Sequence, residues 1–272
     1  MRRIPLHVLR DSESLAREAA EAFVRVCAGA LVTRERIAVA LTGGTTPRRL
    51  FELLASSNFR GRIEWSRLHF FWSDERAVPI DDPRSNYVLA WESLLRHVPV
   101  PPANVHRLEG ERDPDDAAAA AQADLVDFFG ARGAPPAALA AACAFDLALL
   151  GVGEDGHVAS LFPGCDEIEE TGHLVVATRQ EHVVMRRMTF TLPLLANAHA
   201  HLFLVSGEKK CDAVHQVFRS ISAREGILLD VAGVSARSPA LRLTHVAKAP
   251  LWLVDEAAAS LVPRTSDSES RV

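Results

Sequence analysis

Cysteine is scarce and scattered in this sequence, which excludes two classes of protein. The four present, Cys27, Cys143, Cys165 and Cys211, lie far apart, and no C-x-x-C joins any two. A disulfide framework or a zinc ribbon needs closely spaced thiols. Positive charge is also short: 30 Lys and Arg against 35 Asp and Glu give a formal net charge of −5. That balance provides no broad basic field, so no nucleic-acid partner is expected. No apolar run nears the ~18 residues that a membrane span requires, so no membrane partner is expected either. The opening stretch, Ile4 to Leu9, runs straight into the charged Arg10-Asp11. It is too short for the apolar region of a secretory signal, and a reducing cytoplasm is the expected compartment. Internal repeats are lacking. The pair His199-x-His201 leads into an apolar strand with no partner at ligand spacing, so no metal is expected.

What is present reads as an ordinary globular chain, 48% apolar and 24% charged. One domain is expected over residues 1–260, with a disordered tail over 261–272. The Ala/Pro/Gly-rich stretch 130–144 reads as a loop with a short helical piece inside that domain. Strand patterns over 4–9, 36–41, 67–72, 145–150, 173–178, 187–191, 201–205 and 250–254 alternate with helical ones over 13–31, 48–55, 86–95, 113–129 and 208–219. Residues 98–110 read as a proline-rich connection. Such alternation predicts an α/β fold, a largely parallel sheet with helices on both faces.

The central stretch is Phe145-Asp146-Leu147-Ala148-Leu149-Leu150, an apolar strand followed by three glycines, Gly151, Gly153 and Gly156. In open α/β sheets ligands bind beyond the carboxyl ends of strands. Asp155 and His157 sit there. A carboxylate beside an imidazole fixes its tautomer and suits His157 to general-base work. Gly151-x-Gly153-x-x-Gly156 also matches a dinucleotide fingerprint. Glu154 and Asp155 would repel the pyrophosphate, however, and Pro163-Gly164 cut off any long helix.

Three other strand ends carry similar cargo. Thr42-Gly43-Gly44-Thr45-Thr46-Pro47 places a glycine turn before a helix capped by Thr46 and opened by Pro47. Free N–H groups there make an anion site, although the Gly-Lys-Ser/Thr ending of a P-loop is absent. Ser73-Asp74-Glu75-Arg76 puts a cluster of charged groups at the end of an aromatic strand. Gly207 precedes Lys209 and Lys210, read in the first turn of a helix, where cations oppose the dipole and an anion would relieve them.

With these motifs together, the chain resembles the 6-phosphogluconolactonase family over about residues 5 to 260. The run Leu150-Gly151-Val152-Gly153-Glu154-Asp155-Gly156-His157-Val158-Ala159-Ser160-Leu161-Phe162-Pro163-Gly164 carries most of that likeness. Ser85-Asn86, Arg187-Met188-Thr189 and Gly207-Glu208-Lys209-Lys210 add to it. The resemblance implies a three-layer αβα, Rossmann-like, mostly parallel sheet. It also implies cofactor-free and metal-free hydrolysis of 6-phospho-D-glucono-1,5-lactone in the oxidative pentose phosphate pathway, by a monomer or small homo-oligomer. On that basis His157 is the base and Asp155 its orienting partner. Arg76 stabilises the oxyanion, Asp74 binds sugar hydroxyls and Asn86 contacts substrate. Gly43, Gly44, Thr45, Arg187 and Lys210 hold phosphate, with the neighbouring Arg186 and Lys209 able to take the place of the last two.

The related glucosamine-6-phosphate deaminase/isomerase has a loop resembling Gly-His-Ile-Ala-Phe-Asn-Glu-Pro-Gly, with an acid before the proline. Here Phe162 stands in that place, which removes one member of the ring-opening relay. A non-catalytic sugar-phosphate sensor and a nucleotide-dependent dehydrogenase compete with the hydrolase less strongly.

Overall fold

Strand β1 (Leu6–Leu9) ends two residues before Asp11, whose carboxylate accepts from the Ser14 amide at 2.8 Å and opens helix α1 (Ser12–Leu31). Leu15, Ala16, Ala19, Phe23 and Cys27 then recur at helical spacing and bury one face. The computed structural model describes residues 4–179, 185–222 and 238–262. The expected tail falls almost wholly outside them.

The chain continues through β2 (Ile37–Leu41), α2 (Thr45–Ala55), β3 (Leu68–Trp72), β4 (Asp74–Arg76), α3 (Asn86–Ser93), β5 (Val105–His106) and α4 (Pro114–Phe129). There follow α5 (Pro136–Ala142), β6 (Leu147–Gly151), β7 (Val175–Ala177), β8 (Arg187–Phe190) and α6 (Leu192–Ala196). The last elements are β9 (Ala200–Val205), α7 (Cys211–Ser222), α8 (Pro239–Val246) and β10 (Pro250–Asp255). Seven strands form a parallel sheet in the order β1-β10-β9-β6-β2-β3-β5. Helices flank it to give a three-layer αβα fold: α1 packs on α2 and α2 on α3, while α6 packs on α5 and α8, and α8 on α7. β2 and β6 are buried along nearly their whole length, as parallel strands covered on both faces must be.

A second sheet of order β4-β8-β7 is antiparallel. It takes in Asp74-Glu75-Arg76, which the sequence shows only as charged groups at the end of β3. The Ser73 amide still bonds to Leu41 of β2 at 2.8 Å, but the Ser73 carbonyl accepts from Phe190 of β8 at 2.7 Å. The chain changes sheets at that residue. Phe145 joins the two sheets, its ring centre 5.3 Å from Phe71 and 5.4 Å from Phe190. Burying a phenylalanine side chain is worth roughly 1.5–3 kcal/mol.

Other boundaries also differ. Helix α2 starts at Thr45 behind Gly44, not at Pro47 behind Thr46, because Gly44 takes φ +102° and a glycine adopts that angle without strain. Lys209 and Lys210 lie in a 3-10 turn, Glu208–Lys210, ahead of α7. β5 hides in the proline-rich connection, and α8 lies in a stretch that shows no strong period.

Candidate active site

β2 and β6 are neighbours at the middle of the sheet. After β2 the chain moves toward β3 and β5; after β6 it moves toward β9 and β10. Their following loops therefore part, leaving the crevice in which doubly wound sheets bind ligands. A cleft of about 180 Å³ lies there. Gly43, Gly44, Thr45, Asp74, Arg76, Asn86, His157, Arg187 and Lys210 all line it. Of the ten residues expected in the site, Asp155 alone is not on its wall.

Asp155 stands behind His157. Its Oδ1 lies 2.6 Å from His157 Nδ1 and accepts from the His157 amide at 3.1 Å. Burial pushes the Asp155 carboxyl up, but the hydrogen bond and charge of His157 outweigh it and hold the group below its ordinary value. An ionised carboxylate only accepts, so Nδ1 carries the proton and Nε2 is left as the basic nitrogen. Gly153 makes room for this pair: a Cβ there would lie 2.1 Å from His157 Nδ1 and 2.6 Å from Asp155 Oδ1. Residues 152–165 run through turns and one bridge, Val158 with Leu161, rather than a dinucleotide-binding helix. Ala159 lines the cleft at φ +51°, a left-handed angle that is uncommon for a non-glycine residue. The Phe162 ring lies 4.5 Å from the His157 ring and 5.4 Å from the Arg187 guanidinium.

Beside the pair is a buried polar network. Ser160 Oγ donates to Asp74 Oδ2 at 2.7 Å, and Asn86 Nδ2 donates to the Asp74 carbonyl at 2.8 Å and to Oδ1 at 3.2 Å. Arg187 Nη1 lies 3.5 Å from Ser160 Oγ. Burial lowers the Arg187 proton affinity and Arg76 adds to that, against the carboxylates of Asp74 and Glu75. The loop carrying Lys210 is tied down by Asp255, which accepts from Ser206 Oγ at 2.5 Å and from the Gly207 amide at 3.0 Å.

Residues 10–242 match the family model for glucosamine-6-phosphate isomerases/6-phosphogluconolactonase. The chain belongs to this family. It is 36% identical to a 6-phosphogluconolactonase of Streptomyces coelicolor over 96% of this chain and 95% of that one. A 6-phosphogluconolactonase of Treponema pallidum is 38% identical over 78% of this chain and 83% of its own. The crystal structure of 6-phosphogluconolactonase from Thermotoga maritima superposes with a TM-score of 0.71 at 26% identity, covering 93% of this chain and all of that one.

Two adjacent pairs of cations in this family member divide by position. Arg187 lines the cleft, whereas Arg186 turns to helix α4 and pairs with Asp115 at 2.8 Å and Asp113 at 3.7 Å. Lys210 reaches the cleft wall and Lys209 does not. Sequence reasoning gives Glu75 and Ser160 no role, though both lie inside matching motifs. Both are buried, and only the network gives them partners. Among the described residues, no group of three or more His, Cys, Asp and Glu side chains is arranged to hold a metal ion. Among the same residues, no helix is long and apolar enough to cross a membrane.

Proposed function

We propose that this protein hydrolyses 6-phospho-D-glucono-1,5-lactone to 6-phospho-D-gluconate, the lactone-opening step of the oxidative pentose phosphate pathway. The observation that carries the reading is a carboxylate-oriented imidazole opening on the same small cleft as a glycine turn and three cations, Arg76, Arg187 and Lys210. The relatives of that name, alike over 95% and 83% of their own length, support it.

A δ-lactone is an activated ester, so hydrolysis needs a base, an oriented water and a place for the developing charge. His157 Nε2 takes a proton from water while the water oxygen bonds to C1. The carbonyl electrons move onto the exocyclic oxygen, where Arg76 stabilises them. As the carbonyl re-forms, the bond from C1 to the ring oxygen breaks, and His157 returns its proton to that oxygen. Asp155 stabilises the intervening imidazolium. Phosphate on the Gly43-Gly44-Thr45 turn, held by Arg187 and Lys210, fixes the ring over the base. Asp74 and Asn86 face the sugar hydroxyls. The reading takes residues 1–260 as one domain of a cytoplasmic monomer or small homo-oligomer.

The family also contains glucosamine-6-phosphate isomerases, so family alone does not separate the two chemistries. Phe162 does: an aromatic ring beside His157 offers no carboxylate for ring opening. The test is a coupled assay in which glucose-6-phosphate dehydrogenase makes fresh lactone and its loss is followed with and without this protein. A rate equal to spontaneous hydrolysis would sink the reading. Release of ammonia from glucosamine 6-phosphate would replace it with deamination.

A further inference from the structure

Glu75 is a buried carboxylate that the mechanism above does not use. The residue is 1% exposed. Oε1 accepts from the Arg76 amide at 2.8 Å and the Asn86 amide at 2.7 Å; Oε2 accepts from Ser85 Oγ at 2.9 Å and the Tyr87 amide at 2.7 Å. Four donors thus saturate the two oxygens, and three of them come from the start of α3 and its cap. A buried charge is tolerated when satisfied this fully, and a carboxylate at a helix N-terminus is also favoured by the dipole.

Glu75 fixes the backbone at Asn86, and the Asn86 carboxamide covers Gly43. A Cβ at Gly43 would lie 1.7 Å from Asn86 Oδ1 and 2.8 Å from Nδ2. The glycine turn and α3 are therefore in direct van der Waals contact at the floor of the cleft. Asn86 Nδ2 is held by Asp74, so the amide cannot swing away to leave the turn unsupported.

We propose that Glu75 is a positioning residue for phosphate recognition: through Asn86 it sets the shape of the Gly43-Gly44-Thr45 turn. The inference rests on the proposed function in one respect, that this turn takes the phosphate of a sugar phosphate. Glu75→Gln replaces one acceptor oxygen by an amino group. In either orientation that group meets a backbone N–H, from Asn86 and Arg76 or from Tyr87, so a donor faces a donor.

The test is affinity for 6-phosphogluconate by titration calorimetry, which needs no turnover, on variants whose folding is checked by circular dichroism. Glu75→Gln is expected to weaken binding about tenfold or more, as loss of supporting hydrogen bonds does elsewhere. In the lactonase assay KM should rise by more than kcat falls. Asn86→Ala should weaken binding too, and the double variant should be scarcely worse than the poorer single one, because residues acting along one path do not add. Unchanged affinity in folded Glu75→Gln overturns the proposal, as does full additivity with Asn86→Ala. Should Glu75→Gln fail to fold, Asn86→Ala decides: unchanged affinity overturns the path and weakened affinity supports it. A wild-type protein that binds 6-phosphogluconate without opening the lactone would remove the proposed function and leave this inference standing.

Discussion

Arg76 and Arg187 stand directly opposite each other across the antiparallel β4–β8 ladder, and both line the cleft. Like charges in facing positions destabilise a strand pair. Asp74, two residues along the same strand and opposite Thr189, offsets part of that repulsion, and an anion in the cleft would offset more. Phosphate should therefore raise the melting temperature. At a hundredfold excess over Kd the stabilisation would be about 2.7 kcal/mol. Arg187→Gln should gain far less from the same phosphate. Equal shifts in the two proteins would show that the facing guanidiniums do not hold the anion.

The pair formed by His157 and Asp155 separates base strength from binding. His157→Ala should lower kcat by roughly 10²–10⁴-fold, the usual contribution of a positioned base, with little change in 6-phosphogluconate affinity. Asp155→Asn removes the charge that favours the imidazolium. It should lower kcat, because the imidazolium formed during turnover loses its counter-charge, with little change in 6-phosphogluconate affinity. An undiminished kcat would mean that the carboxylate does not assist the base.

Gly153 tests the same geometry from the backbone side. In Gly153→Ala the added methyl would fall within 2.1 Å of His157 Nδ1. The ring must turn out of its bond to Asp155. Activity should fall by at least about tenfold, given the sensitivity of proton transfer to hydrogen-bond reach, while phosphate binding persists. Retention of full kcat would contradict the position of the pair.

Away from the site, His69 links stability to acid. Burial lowers its proton affinity to a pKa of about 4, with the charges of His106 and Arg36 adding and Asp124 opposing. His69 Nδ1 lies 3.0 Å from His106 Nε2, and His106 Nδ1 lies 2.8 Å from Asp124. The folded value is below the ordinary 6.5. Its stabilising contribution is thus complete above the unfolded value and lost as pH falls from there toward about 4. Thermal melts at pH 7 and pH 5 should show a smaller drop in His69→Gln than in the wild type; identical drops would exclude this group as the cause.

Much of the fold is legible in the chain because a parallel sheet writes its strands as unbroken apolar runs. Leu147–Gly151 and Ala200–Val205 need no partner to be recognised. β5, two residues long, carries too little pattern to be seen. β4 escapes notice for another reason: Asp74-Glu75-Arg76 has no apolar alternation, and its strand character comes from pairing with β8. Among site residues, Asp155 and His157 can be paired from spacing alone, because a two-residue separation in a glycine turn folds back on itself.

The amino-acid order alone thus determined the alternating layers, the strand-end loops and the acid–imidazole couple, all of which depend on neighbours within a few positions. The tertiary structure alone decided which arginine faces inward, since the neighbours Arg186 and Arg187 differ in the partners that the folded chain brings to each. It also turned Glu75 from one charge in a polar triplet into a buried anchor, because its partners Ser85, Asn86 and Tyr87 arrive from a separate element. Burial and long-range hydrogen bonding depend on where the whole chain goes, and no local pattern records them.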